Sequence, residues 1–163
     1  MSNVNRRLLA GLTLLIGSTV CVGSIYAQAG DERIYSVASF RGDYAVVGTG
    51  GANVAGLLGT IASDGQGNVS GSALANLPGS SSRTLVQITY SGTYTINADG
   101  TGVLTLTVNL PSGRTATGTV DLLITEATRS EEKVATDIAG MQRELVSALN
   151  GQLVVYKFTK RPH

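Results

Sequence analysis

Histidine, cysteine and tryptophan are almost missing from this chain, which has one His, one Cys and no Trp. The His is the last residue, His163, and the Cys, Cys21, lies in an apolar run near the start. Ser-His-Asp and Cys-His catalysis therefore have almost no material to work with. A multi-His zinc or iron site is excluded on the same count, so no metal and no cofactor is expected. Without Trp there is little on which a sugar ring could stack. Charge of one sign is missing too, with 12 Lys+Arg against 11 Asp+Glu and no basic run. Phosphate backbones demand clustered Lys and Arg, so no nucleic-acid partner is expected. Electrostatic docking to anionic membranes loses its basis for the same reason.

The first 29 residues read as a signal peptide. Arg6-Arg7 open it, Leu8 to Ile25 is largely apolar, and Ala27-Gln28-Ala29 supplies the small-x-small site that a signal peptidase reads. Arg6-Arg7-Leu8-Leu9 also hints at the twin-arginine route, and an uncleaved anchor is the alternative, since the run is near the minimum for a span. Val20 before Cys21 is a poor fit to a lipoprotein box. Cleavage after residue 29 of 163 leaves 134 residues, one domain with enough chain for a proper core. With Arg6 and Arg7 gone, the balance becomes 10 basic against 11 acidic residues. The mature chain then has no cysteine, so it is exported yet built without disulfides. Residues 30–41 read as an N-terminal lead-in and residues 42–163 as the folded domain.

What is present is a ladder of hairpins. Gly59-Thr60-Ile61-Ala62-Ser63 runs into Asp64-Gly65-Gln66-Gly67, and Gly92-Thr93-Tyr94-Thr95-Ile96-Asn97-Ala98 runs into Asp99-Gly100-Thr101-Gly102. Asp-Gly between alternating residues is a strong hairpin signal, because the turn needs φ > 0 and Gly has no Cβ to clash. The period-two pattern places Tyr44 and Val46 on one face, then Val86, Ile88 and Tyr90, then Tyr94 and Ile96. Leu104, Leu106, Val108 and Leu110 follow, then Val120, Leu122 and Ile124, and last Val154, Tyr156 and Phe158. The opposite faces are rich in Thr (Thr84, Thr89, Thr93, Thr95, Thr105, Thr107, Thr115, Thr117, Thr119). The expected fold is all-β, a single antiparallel up-and-down barrel of about 8–9 strands. The alternatives are a β-sandwich, or a barrel with a C-terminal helix in 131–149.

That last segment is ambiguous. Val134, Ile138, Met141, Leu145 and Leu149 fall at helical spacing, while Lys133 to Glu144 could equally supply the strand that pairs with the last one. Asp64 and Asp99 can be imagined as calcium ligands. However, Thr95 stands where the first acid of an EF-hand loop belongs and Leu106 where its bidentate Glu belongs. The simpler reading has each Asp bonding its own turn backbone. Asp43, Asp121 and Glu126 have no spacing that pairs them as a glycosidase requires, so no catalytic residue is assigned. Gly56, Gly59, Gly71, Ala73 and Ala75 mark either tight curvature or a thinned wall beside an apolar cavity.

Three segments and the end of the chain carry a resemblance: Ser39-Phe40-Arg41-Gly42-Asp43-Tyr44, Asp64-Gly65-Gln66-Gly67-Asn68, Ser91 to Gly102, and Lys160-Arg161-Pro162. Together they are similar to a group of small secreted bacterial proteins without assigned function. The plan also resembles the calycin (lipocalin-like) and allene oxide cyclase-like barrels. Lipocalins carry Gly-x-Trp on the first strand, packed against a basic residue at the end of the last strand. Gly42-Asp43-Tyr44 and Lys160 or Arg161 sit in comparable places, with Tyr for Trp and no disulfide. The resemblance implies that 131–149 contributes a strand, that the protein is periplasmic or extracellular in a bacterium, and that a small apolar ligand binds inside. Tyr44, Leu58, Tyr94, Leu106 and Tyr156 are the expected cavity wall. A cell-envelope structural or protein-interaction module, working through the Thr/Ser faces or an edge strand, is the alternative. An outer-membrane barrel is disfavoured by the scarcity of aromatics for girdles, so the processed protein is not expected to be membrane-integral.

Overall fold

The computed structural model describes residues 34–51, 55–78, 82–144 and 153–162. The expected signal peptide lies outside the described residues, as does the part of 131–149 beyond residue 144. Eight strands form one closed antiparallel barrel in chain order: β1 (Arg41–Gly50), β2 (Ala55–Asp64), β3 (Asn68–Pro78), β4 (Arg83–Ile96), β5 (Thr101–Asn109), β6 (Thr115–Ala127), β7 (Ala135–Gln142) and β8 (Val154–Lys160). β1 pairs with both β2 and β8, which closes the sheet. Closure satisfies every strand's backbone groups without a free edge. The sandwich alternative is thereby overturned, and so is the edge strand as a docking route.

The count is eight because the segments around Thr84–Tyr90 and Thr93–Ala98 are one strand of 14 residues. Ile88, Tyr90, Tyr94 and Ile96 are all buried, so the alternation passes through Gly92 without a change of parity. The helix in 131–149 is overturned over Ala135–Gln142, which pairs with β6 and β8. Ile138 is buried, Met141 is 56% exposed and Gln142 is 3% exposed. Of the apolar residues at helical spacing, Ile138 and Met141 therefore point to opposite sides of one strand.

Both Asp-Gly turns form as hairpins at the same end of the barrel. Gly65, Gly67 and Gly100 have φ of +74°, +107° and +87°, a region costly for residues with a Cβ. Asp64 Oδ1 accepts from the backbone N–H of Gln66 (2.7 Å) and Asn68 (3.0 Å), and Asp99 Oδ1 accepts from that of Thr101 (2.9 Å). Each carboxylate thus holds its own turn, and its pKa is lowered.

This turn-bearing end is the floor of the barrel, and the chain before β1 seals it. A single 3-10 turn, Val37–Ser39, brings Phe40 under the barrel, where it is fully buried. The Phe40 ring lies 4.9 Å from those of Tyr44 and Tyr94 and 6.1 Å from that of Phe158, at tilted to edge-on angles that favour aromatic contact. Tyr94 Oη lies 2.6 Å from the Phe40 carbonyl oxygen and 3.0 Å from that of Val37. Tyr44 Oη donates to the Ala135 carbonyl oxygen at 2.9 Å. Within the expected lead-in of residues 30–41, Tyr35 and Phe40 are buried in the hydrophobic core and Ser39 is buried beside them. Lys160, at the end of β8, places its Nζ 5.1 Å from the Tyr44 ring centroid and donates to the Arg41 carbonyl oxygen. Burial lowers its pKa.

Candidate functional site

The opposite end, the mouth, is built from smaller inward residues. Where the floor has Tyr44, Tyr94, Leu104, Leu122, Ile138 and Phe158, the mouth-side ends of the strands turn Gly48, Ala75, Ala116 and Gly118 inward. Residues without bulk cannot fill the space that the fixed barrel radius encloses. A cavity of about 70 Å³ results, walled by Leu57, Ala75, Leu77, Ile88, Leu106, Val108, Ala116, Thr117, Gly118, Val120, Gln142 and Tyr156. A smaller one of about 40 Å³ adjoins it toward the floor and shares Leu57, Ile88, Leu106, Val108, Val120 and Tyr156.

Of the five residues expected to form the wall, Leu106 and Tyr156 line both cavities. Tyr44 and Tyr94 belong to the floor, with their hydroxyls bound to backbone carbonyls. Leu58 is corrected: it is 64% exposed on the outer face, and its neighbour Leu57 takes the inward place. The reason is register. Tyr44 pairs with Ile61, both are buried, and the period of two then carries inward orientation to Gly59 and Leu57.

The glycine-rich stretch divides between its two readings. At Gly59 an added Cβ would lie 2.5 Å from Ala73 Cβ, and at Gly71 it would lie 2.6 Å from the Tyr90 ring. Those two mark close approach inside the barrel. Ala75, by contrast, stands in the cavity wall.

The residue that sequence reasoning missed is Gln142. It is the last residue of β7, 3% exposed, in the wall of the larger cavity, and its Oε1 has no hydrogen-bond partner. A polar residue at a strand end reads as solvent-facing, so composition alone carries no signal for it. Only the strand assignment, with Ile138, Gly140 and Gln142 at one parity, turns it inward. Its position is held by β6. Val120 pairs with it on β6, the Arg143 N–H donates to the Thr119 carbonyl oxygen (2.8 Å), and Glu144 Oε2 accepts from the Thr119 N–H (2.9 Å). An ion pair between the Arg143 guanidinium and the Asp121 carboxylate braces the same corner.

Burial pushes the Tyr156 phenol up to about 12, so it stays protonated and neutral beside the cavity. Among the described residues, no group of three or more His, Cys, Asp or Glu side chains could hold a metal ion.

Two other surfaces compete for attention. A solvent-open groove of about 610 Å³ crosses the outer face, lined by residues such as Thr60, Ser70, Ser72, Thr89 and Ser91 with Asp43 and Arg161. It is larger than the interior space, but none of its side chains is a buried group lacking a partner. The second is apolar: Val47, Leu58 and Leu74 are direct cross-strand neighbours on the outside of β1, β2 and β3, each 42–64% exposed. Comparison with protein-family models, curated proteins and solved structures found no match to this chain.

Proposed function

We propose that this protein is an exported, water-soluble carrier that holds a small apolar molecule at the mouth of its barrel. The observation that carries the reading is the apolar cavity of about 70 Å³ in the half of the barrel where small residues leave the interior unfilled. An apolar hollow is costly to keep empty, because its lining forgoes dispersion contacts that a larger side chain would supply. Binding, rather than catalysis, suits the wall. Its inward polar side chains are Gln142 and the neutral Tyr156, neither of them an activated nucleophile or a base. An apolar interior favours a barrel in water over one in lipid, whose inside is polar. Lys160 above Tyr44 at the floor is the contact that the calycin resemblance implies, and it supports a calycin-like carrier.

Native mass spectrometry on the processed protein, purified gently from its own envelope fraction, tests this directly. A stoichiometric added mass that disappears on organic extraction is the expected result. A bare monomer mass, under conditions that preserve a known carrier's cargo, would contradict it.

A second reading has its own observation. The row Val47–Leu58–Leu74 is an exposed apolar strip of a kind found where proteins meet partners, which favours an envelope interaction module. A saturable partner captured from envelope extract by the wild type, and lost with Leu58→Thr, would favour that role.

A further inference from the structure

We infer that the ligand is a small apolar molecule carrying one hydrogen-bond donor, a hydroxyl or an N–H, and that Gln142 Oε1 accepts from it. The inference rests on the reading of the mouth cavity as a ligand site and adds what the ligand must present.

Gln142 is 3% exposed, and its Oε1 is a buried acceptor without a partner. A buried polar atom left unpaired opposes folding, so such groups are usually satisfied. Nothing nearby supplies a bond, although the backbone around Gln142 is tied to β6 at Val120 and Thr119. That anchoring fixes where the side chain starts and keeps it in the wall of the cavity. The other buried orphan among the described residues, Thr136 Oγ1, belongs to neither cavity wall.

A lone water would leave most of this wall unfilled: beside Gln142 and the Tyr156 phenol it is Leu57, Ala75, Leu77, Ile88, Val108 and similar groups, while a buried water typically takes two to four polar partners. A molecule with an apolar body and a single donor meets both demands at once. Its size is bounded by cavities of about 70 and 40 Å³ that share much of one wall. Benzene is accommodated by an apolar cavity of about 150 Å³, more than these two offer together, so a ring seated here projects through the mouth and the natural ligand belongs to the small-ring or short-chain class.

Phenol and toluene are the probes, because they share a ring and differ by a hydroxyl in place of a methyl. Their affinities are measured by calorimetry for the wild type and for Gln142→Leu. The expected result is a phenol-to-toluene affinity ratio that falls about tenfold in the variant, the size of one lost hydrogen bond, with toluene binding kept or tightened. A second readout needs no variant: the Gln142 side-chain amide resonance of the wild type should move with phenol and stay in place with toluene. An unchanged ratio with an unmoved amide would overturn the inference, while toluene binding would keep the carrier reading. Failure of both probes to bind the wild type would overturn both.

Discussion

Leu104 and Leu106 lie two residues apart on β5 and face the same interior, yet they inhabit different regions of the barrel. Leu104 is fully buried in the floor, among the aromatic cluster of Phe40, Tyr44, Tyr94 and Phe158. Leu106 is partly buried and forms part of the wall of both cavities. At the floor the side chains interlock and the Tyr44 and Tyr94 hydroxyls have carbonyl partners. At the mouth, Gly48, Ala75, Ala116 and Gly118 stand among the larger inward side chains and leave a cavity, and one buried amide oxygen has no partner. One end of the barrel is built for stability and the other retains features that cost stability. Such local departures from good packing and full hydrogen bonding mark the regions where function is sought.

The largest expected effect breaks the floor. Phe40→Ala removes the ring around which three others pack, and should cost about 4 kcal/mol, a large share of the roughly 5–15 kcal/mol that holds a domain together. Urea denaturation of variant and wild type checks it, and a cost under about 1 kcal/mol would deny the floor its role.

The Leu104→Ala and Leu106→Ala pair sharpens the comparison directly. The floor variant should lose about 3–4 kcal/mol and the mouth variant about half of that, since truncation beside an existing cavity removes fewer contacts. Equal losses would mean that the two regions are packed alike. Gly71→Ala should cost about 1–3 kcal/mol by overpacking, because its Cβ would lie 2.2 Å from the Thr60 carbonyl oxygen.

Gln142→Leu runs the other way. It removes a buried unpaired acceptor and adds apolar contact, so the unliganded protein should gain about 1 kcal/mol. A loss of stability would show that the amide has a structural partner after all.

The smallest effects are those of pH. Asp64, Asp99, Asp121, Asp137 and Glu144 all have lowered pKa values in the fold. The first causes are hydrogen bonds from the side chains of Asn68, Thr101, Arg143 and Thr159 and from the Thr119 backbone, in that order. The unfolded chain therefore takes up protons first, and stability should decline as pH falls below the ordinary carboxylate range. At the alkaline side, burial raises Tyr44, Tyr90 and Tyr156, the last two to about 12. Their contribution is complete below pH 10, the ordinary value, and is lost as pH rises from there through about 12. Denaturation midpoints across the range should fall at both ends.

Much of the architecture was legible in the residues. Alternation from Val86 to Ile124 reports which faces are inward, and Asp64-Gly65 and Asp99-Gly100 announce their hairpins because few other residues tolerate those backbone angles. Leu58 shows the limit of such reading. In a run such as Gly56-Leu57-Leu58-Gly59, two adjacent leucines give no parity, and only pairing with Tyr44 through Ile61 decides which one faces in. The floor was illegible for a different reason: Tyr35 and Phe40 act through tertiary contacts with residues far along the chain, as in the Tyr35 N–H bond to the Ala98 carbonyl oxygen. Gln142 was hidden by helical spacing in its own segment, which is a property of sequence order and not of the barrel.

The most direct test of the floor and mouth account is a methyl-resolved NMR titration of the protein with toluene. Saturable shifts are expected at Leu57, Leu77, Ile88, Leu106, Val108 and Val120, with Leu104, Leu122 and Ile138 unmoved. Shifts confined to the outer row of Val47, Leu58 and Leu74, or no saturable shift at all, would contradict a ligand-binding mouth.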